Sequence, residues 1–272
     1  MIVDGKKLAE ELKFEIKMDV LRLGKKLRLA VIQIGDNPVS EKFLEQKKKF
    51  GEAVGIDVRV YQLPEDISTN ALRKKLAEVV HVKQNASVIV QLPLPTQINT
   101  QYILDSVIPA KDPDVLSSRS IGLFVTGRLP ILPPIVDATK YIFEKHNIDP
   151  IGKRVIVVGA GRLVGKPISM WLMRQGATLT VVDEHTNDIA PYIKDADIII
   201  SGVGKPNFIT TEMITNGAVV VDCGTSEAAG KLVGDVDPAI AQKASIFTPI
   251  PGGIGPLTIA MLFRNIVTLC KN

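Results

Sequence analysis

Cysteine is scarce: Cys223 and Cys270 are the only two in 272 residues, far apart and without a neighbouring His or Cys at ligand spacing. That excludes a disulfide framework and predicts two inert thiols in a reducing compartment. Histidine is equally sparse, and His81, His146 and His185 stand alone, with neither metal-ligand spacing nor a Ser-His-Asp or Cys-His pattern around them. Aromatic residues make up 5% of the chain and none is interleaved with a basic run, so no stacking platform for nucleic acid exists. No uninterrupted apolar run approaches the ~18 residues of a membrane span, and Met1 to Leu12 holds no cleavable apolar segment. A cytoplasmic protein is expected, with neither nucleic acid nor membrane as partner. Charge of one sign is also missing, with 33 basic against 29 acidic residues and a net charge of +4.

What the chain does have is alternation. An amphipathic helix from Asp4 to Leu23, with Asp4 as its cap, precedes a buried strand Leu29 to Ile34. A turn at Gly35-Asp36-Asn37-Pro38 follows, then a helix Val39 to Val54, strand Val58 to Gln62, helix Thr69 to Val80 and strand Ser87 to Gln91. Strand and helix in alternation predict a parallel sheet covered on both faces. From Gln91 to Pro134 the composition is that of irregular loops, and loops at strand ends are where α/β proteins carry chemistry. A helix near Asp137 to Asn147 leads through the turn Asp149-Pro150-Ile151-Gly152 into a second set of elements. Strands at Asp197 to Ile200 and Ala218 to Val221, a short helix near Thr211 to Thr215 and a closing amphipathic helix Leu257 to Leu269 complete it.

The most informative stretch is Arg154 to Pro167. Four β-formers run into Gly159-Ala160-Gly161-Arg162-Leu163-Val164-Gly165, and an apolar helical pattern starts at Leu163. Gly159 and Gly161 remove the Cβ atoms that would hold a phosphate off the backbone, Gly165 lets the helix sit close to the strand, and the first helical N–H groups are anion donors. A dinucleotide is the expected guest, although the third glycine falls one residue later than in the common G-x-G-x-x-G spacing. A second strand, Thr178 to Val182, ends in Asp183, 24 residues beyond Gly159. This is close to the offset of about 20 expected of a ribose-binding carboxylate; a solvated loop acid is the alternative.

Three further residues have chemical potential. Lys47 is a base if its pKa is depressed, but with Lys42, Lys48 and Lys49 it also reads as one side of a solvated helix face. Gln91 ends an apolar strand before the rigid Leu92-Pro93-Leu94-Pro95, the kind of position that faces ligand crevices in open α/β sheets. Asp112 and Asp114 read from spacing as turn formers.

Several of these segments together resemble the bifunctional methylenetetrahydrofolate dehydrogenase/cyclohydrolases. The matching pieces are Gly35-Asp36-Asn37-Pro38 with Ser40 and Lys47, Val90 to Pro95, Lys111-Asp112-x-Asp114, the glycine turn through Pro167, Gly202-Val203-Gly204-Lys205-Pro206, Gly234-Asp235-Val236-Asp237, and Thr248 to Thr258. The resemblance implies two α/β domains flanking a cleft: a folate domain over 1–138, a Rossmann-like nucleotide domain over 139–256, and a C-terminal helix, 257–272, returning to the first. It implies a homodimer. It also implies oxidation of 5,10-methylenetetrahydrofolate by a nicotinamide cofactor, then hydration of the methenyl cation to 10-formyltetrahydrofolate. Lys47 would be the base of the hydration, Gln91 its hydrogen-bonded modulator and Asp114 the anchor of the pterin amino edge. Ser40, Phe43, Pro251, Gly252 and Gly253 would line the substrate, and Gly202 and Val203 would join Gly159, Gly161, Arg162, Leu163, Val164, Gly165 and Asp183 around the cofactor.

The chain departs from the family pattern at informative places. Phe43 stands where a tyrosine is usual, keeping a face for stacking and losing a hydroxyl needed for full cyclohydrolase chemistry. Val115 replaces a glycine, and Pro134-Ile135-Val136 replaces Cys-Thr-Pro, adding bulk beside the expected cleft. Where many NADP-using members have His-Arg, this chain has Asp183-Glu184, which predicts NAD over NADP because two carboxylates repel a 2′-phosphate. A dehydrogenase with weak cyclohydrolase, or a non-catalytic folate- or nucleotide-binding relative, are the alternatives to the bifunctional enzyme.

Overall fold

The computed structural model describes residues 1–36, 38–228 and 231–271, which fall into two compact units. One comprises Glu10–Pro134 and Ile259–Asn272, the other Met1–Ala9 and Ile135–Thr258.

In the first unit, helix α1 (Gly5–Leu23) leads into strand β1 (Leu27–Ile34), then α2 (Pro38–Val54), β2 (Ile56–Leu63), α3 (Thr69–His81) and β3 (Ser87–Val90). The strands form a parallel sheet in the order β2-β1-β3. The central strand β1 is buried almost throughout, which explains its continuous apolar run. One face, through Ala30, Ile32 and Ile34, packs on Leu72, Leu76, Val79 and Val80 of α3. Alternation sends Leu29, Val31 and Gln33 to the other face. There α2 lies flush on β2, because Gly51 presents no side chain: a Cβ would sit 2.5 Å from Val58 Cγ2.

The segment 91–134, expected to be irregular, contains α4 (Thr100–Leu104) and α5 (Ser118–Val125) with a 3-10 turn at Pro109–Lys111 between them. Asn99 Oδ1 accepts from Tyr102 N at 3.1 Å and Ser117 Oγ from Ser120 N at 3.2 Å. The residues that give the segment its loop-like composition are therefore helix caps. The closing helix α9 (Ile254–Lys271) returns to this unit, stacking Phe263 on Phe50 with ring centroids 5.0 Å apart and pairing Lys271 with Asp19 at 2.8 Å. By length and composition α9 alone among the described helices could cross a membrane, yet 56% of it is buried inside the protein, the character of a core helix.

The second unit begins at α6 (Pro134–Lys145), followed by β4 (Arg154–Val158), α7 (Gly165–Arg174), β5 (Thr178–Val182), α8 (Ala190–Lys194), β6 (Ile198–Ser201), β7 (Val219–Asp222), the hairpin β8 (Ser226–Ala228) with β9 (Lys231–Val233), and β10 (Ile246–Thr248). Pro134 starts α6 earlier than the periodicity predicts, as its fixed φ suits a first helical position. Ile135 and Val136 turn inward and are buried, so the bulk expected beside a pocket goes into the core. The short helix expected near 211–215 is a 3-10 turn at Thr211–Met213. The first residues of the chain, expected with the folate domain, extend this sheet: Val3 N donates to Phe247 O and Phe247 N to Met1 O, both at 2.9 Å.

All strands of the five-stranded sheet are parallel, in the order β10-β7-β6-β4-β5. The chain steps one way from β4 to β5 and the other way from β4 to β6. The carboxyl ends of β4 and β6 therefore flank a topological switch point, where open α/β sheets bind ligands.

Candidate active site and nucleotide cradle

In the first unit the fold gathers Lys47, Gln91 and Asp114. Lys47 stands one helical turn before Gly51, on the face of α2 that meets the sheet, while Lys42, Lys48 and Lys49 are exposed. The solvated-face reading fails for this one lysine. Its Nζ donates to Gln91 Oε1 at 2.8 Å, and Gln91 is fixed at the end of β3 by its own N–H to Ile32 O at 2.9 Å and its Nε2 to Leu92 O at 3.2 Å. Burial pushes the Lys47 amine below the ordinary lysine range, and the Asp114 carboxylate restores part of the shift. Burial raises Asp114 to about 6, against the pull of Lys47 and with a further push from Asp112. A poised amine and a carboxyl group titrating near neutrality, electrostatically coupled, can move a proton and hold a cation.

The two aspartates divide their roles. Asp112 is buried and works as a turn former, with Oδ2 accepting from Leu116 N at 3.1 Å and Ser117 N at 2.9 Å. Asp114 is the one presented to Lys47. Between them and α5, Val115 sits at φ 58 although it is β-branched and buried. A left-handed conformation there costs about 1–2 kcal/mol, and such strain persists where surroundings over-determine it. Asn265 of α9 supplies part of that constraint, donating to Pro113 O at 2.9 Å and Leu132 O at 2.7 Å. Asn265→Leu should leave the buried carbonyl of Pro113 and the partly buried one of Leu132 without this donor and lower stability by about 1–3 kcal/mol, most of it from the buried group. A denaturant midpoint unchanged from the parent would contradict this.

In the second unit the glycine turn after β4 is a close-packed cradle. Gly159 has φ 104, and a Cβ on it would lie 2.8 Å from Gly202 O; a Cβ on Gly165 would overlap Gly159 O at 1.8 Å. At Gly161 a Cβ would meet nothing within 4 Å, so this glycine faces open space, as a phosphate-approach position requires. Helix α7 begins at Gly165, later than the apolar pattern suggested, because Leu163 belongs to the turn and is 51% exposed. Arg162 is exposed with it and Val164 is half-buried. Val203, half-buried, borders Gly159. Asp183 follows β5, and its Oδ1 accepts from His185 N at 3.0 Å. This glycine-lined turn at a helix N-terminus and switch point, with an acid at the end of the next strand, fits a dinucleotide.

Residues 3–114 match the model of the tetrahydrofolate dehydrogenase/cyclohydrolase catalytic domain, and residues 133–272 match that of its NAD(P)-binding domain. The chain belongs to this family. A curated relative, the bifunctional protein FolD of Agathobacter rectalis, is 40% identical over 275 residues, covering 99% of each chain. The crystal structure of the FolD enzyme of Campylobacter jejuni matches with a TM-score of 0.96 at 37% identity, covering 100% of this chain and 99% of that one. The Trypanosoma brucei enzyme, solved with NADP and an inhibitor, matches with a TM-score of 0.95 at 31% identity, covering 100% and 97%.

Against the family's expected substrate-lining residues the picture is mixed. Phe43 is half-buried, one turn before Lys47 on the same face of α2. The side chain of Ser40, like residue Asn37 of the preceding turn, lies outside the described residues. Pro251 is exposed and Gly252 adopts φ 99. Gly253 is buried, and a Cβ on it would meet Pro249 O at 2.4 Å, so its own chain requires a glycine there. Its own carbonyl presses on Gly5, where a Cβ would lie 1.7 Å away.

Sequence reasoning missed Gln33. It is 3% exposed near the end of β1, next to Ile32, whose carbonyl accepts from Gln91 N at 2.9 Å. Its Oε1 has no hydrogen-bond partner among the described residues. The signal was present as a lone polar residue inside the apolar run Leu-Arg-Leu-Ala-Val-Ile-Gln-Ile.

Proposed function

We propose that this enzyme oxidises 5,10-methylenetetrahydrofolate with NAD and hydrates the resulting methenyl cation to 10-formyltetrahydrofolate, with Lys47, Gln91 and Asp114 as the residues that carry the folate chemistry. The 2.8 Å bond between Lys47 and Gln91, beside a carboxyl group that burial lifts to about 6, is the observation that supports the assignment most directly. A bound nicotinamide would supply the acceptor for the hydride that leaves the methylene carbon. Lys47 in its neutral form takes a proton from the water that adds to the methenyl carbon; as the carbon–N5 bond opens, a proton passes to N5 and the hydroxyl proton of the adduct leaves to solvent, so that the formyl C=O forms and one proton is released overall. Gln91 orients the amine through its Oε1. Asp114 accepts hydrogen bonds from the amino edge of the pterin, a charge-assisted contact. The cationic substrate itself favours neutral Lys47, since like charges disfavour the protonated amine.

Gly159, Gly161 and Gly165, with Arg162, Leu163 and Val164, would hold the pyrophosphate, and Asp183 the adenosine ribose. Carboxylates at Asp183 and Glu184 favour NAD, although the trypanosomal relative was solved with NADP. Dimer formation finds support in β5, which pairs only with β4 among the described strands and leaves Val181 44% exposed on an open edge. The two cysteines are free, and burial raises both thiols, the state expected of a cytoplasmic enzyme.

The test is an assay of the purified protein with methylenetetrahydrofolate and either nucleotide, following nucleotide reduction and the methenyl absorbance together. Absence of folate-dependent reduction with both nucleotides would overturn the reading. Phe43 favours a second outcome within it, strong dehydrogenase and weak cyclohydrolase. Phe43→Tyr should then raise methenyl hydrolysis by about tenfold, the worth of one hydrogen bond of ~1.4 kcal/mol. Dehydrogenase should stay within about twofold, since the aromatic face is kept. An unchanged hydrolysis rate would show that the lost hydroxyl is irrelevant.

A further inference from the structure

Beneath the nucleotide cradle lies a pair of buried carboxylates, Asp222 at the end of β7 and Asp235 after β9, both 0% exposed. Asp235 is saturated by the end of β6 and the loop that follows it. Its Oδ2 accepts from Ser201 Oγ at 2.9 Å and Val203 N at 2.7 Å, and its Oδ1 accepts from Lys205 N at 2.9 Å. The same loop presses on the glycine turn from the other side: a Cβ on Gly202 would lie 2.4 Å from Val164 Cγ1, and Gly202 O is what Gly159 approaches. Asp235 is in turn held by Asp222, whose Oδ1 accepts from Asp235 N at 3.1 Å and whose Oδ2 accepts from Val236 N at 3.1 Å. Asp222 N donates to Thr248 Oγ1 at 2.8 Å. No slack exists around the pair, because a Cβ on Gly224 would meet Asp235 Cγ at 2.1 Å and one on Gly234 would meet Asp222 Oδ2 at 1.9 Å.

Burying a carboxylate is costly unless it is fully hydrogen-bonded, and here the donors that compensate it are backbone N–H groups of the loop bordering Gly159 and Val164. A neutral side chain could fill the same space; a carboxylate acceptor is what fixes both N–H groups of the loop at once. We infer that Asp235 is a positioning residue for the nucleotide cradle, setting Gly202 and Val203 against the glycine turn and thereby the affinity for the dinucleotide. The inference rests on the reading of this unit as the dinucleotide-binding one.

Asp235→Asn keeps the shape and turns one acceptor into a donor facing N–H groups. The Kd for NAD and for NADP, measured by titration of the resting protein, should rise about tenfold or more, as expected for loss of charge-assisted hydrogen bonds. Hydrolysis of methenyltetrahydrofolate, assayed without nucleotide, should stay within about twofold of the parent. Unchanged nucleotide Kd in a variant with parental hydrolysis overturns the inference; so does a parallel loss of both, which is the mark of a general folding role. If Asp235→Asn does not fold, Ser201→Ala removes one donor and leaves the carboxylate, and it should weaken nucleotide binding about threefold; equal binding again overturns the inference. Failure of the parent protein to bind either nucleotide would instead refute the reading of the unit.

Discussion

Lys47→Ala should lower methenyltetrahydrofolate hydrolysis by about 10²–10⁴, the usual worth of a positioned general acid–base group, while methylenetetrahydrofolate oxidation falls by about tenfold at most. The asymmetry follows from where protons move. Hydration needs a base for the attacking water, and Lys47, with its pKa pulled down by burial and its Nζ fixed by Gln91 at 2.8 Å, is the amine in place to act. Hydride transfer breaks a C–H bond without a proton acceptor, so it loses only the indirect effects. One of those is calculable in direction. Lys47 holds Asp114 down against the push of burial, so removing it lets the Asp114 pKa climb above about 6. The anionic anchor is then lost at a higher pH than in the parent, and the KM for folate in Lys47→Ala should improve as pH rises through that limb. Lys47→Arg should not rescue hydrolysis, since a guanidinium does not deprotonate. Parental hydrolysis in Lys47→Ala would remove this residue from the mechanism.

How much of this was legible before any coordinates depends on which physical signal each residue leaves. The glycine turn was readable because Gly159 and Gly165 answer a local backbone demand, and local demands leave local patterns. Strands β1 and β4 were readable from buried apolar runs. Lys47 was not separable from its neighbours: its burial depends on Gly51 letting α2 settle on β2, a contact between elements that no charge pattern encodes. The aspartates divided for a similar reason, since Asp112 caps the next turn and Asp114 faces Lys47, and only the path of the chain through Val115 distinguishes them. Helices α4 and α5 were hidden because Asn99 and Ser117 serve equally well in loops and as caps. Asp235 was visible as a motif residue, but its partners at Ser201, Val203 and Lys205 come from a different strand end. Gly253 carries a further demand that the motif alone does not reveal, since its missing side chain makes room for Pro249 O of its own chain.

The cofactor preference has a similarly large expected effect and a different origin, in long-range charge. The kcat/KM with NAD should exceed that with NADP by about 100-fold, because placing a 2′-phosphate against carboxylates costs several kcal/mol and each 1.4 kcal/mol is a factor of about ten. Asp183 is expected to contribute more of this preference than Glu184. Its Oδ1 accepts from His185 N at 3.0 Å and its own N–H donates to Thr186 Oγ1 at 3.2 Å, so the carboxylate is held at the end of β5 rather than free to swing away. Glu184 is 80% exposed, and its 3.9 Å approach to His185 is a loose surface contact, so it adds charge without fixed geometry. Two consequences separate these contributions. Asp183→Ser should cut the preference by about tenfold, through weaker NAD use and stronger NADP use together, because a hydroxyl keeps some hydrogen bonding and removes the repulsion. The residual preference left by Glu184 should shrink as salt is raised, since an exposed charge is screened within about 8–10 Å at moderate ionic strength. A parent enzyme that uses NADP as well as NAD would show that the 2′-phosphate never meets these carboxylates, and would move the determinant to Arg162 and the cradle itself.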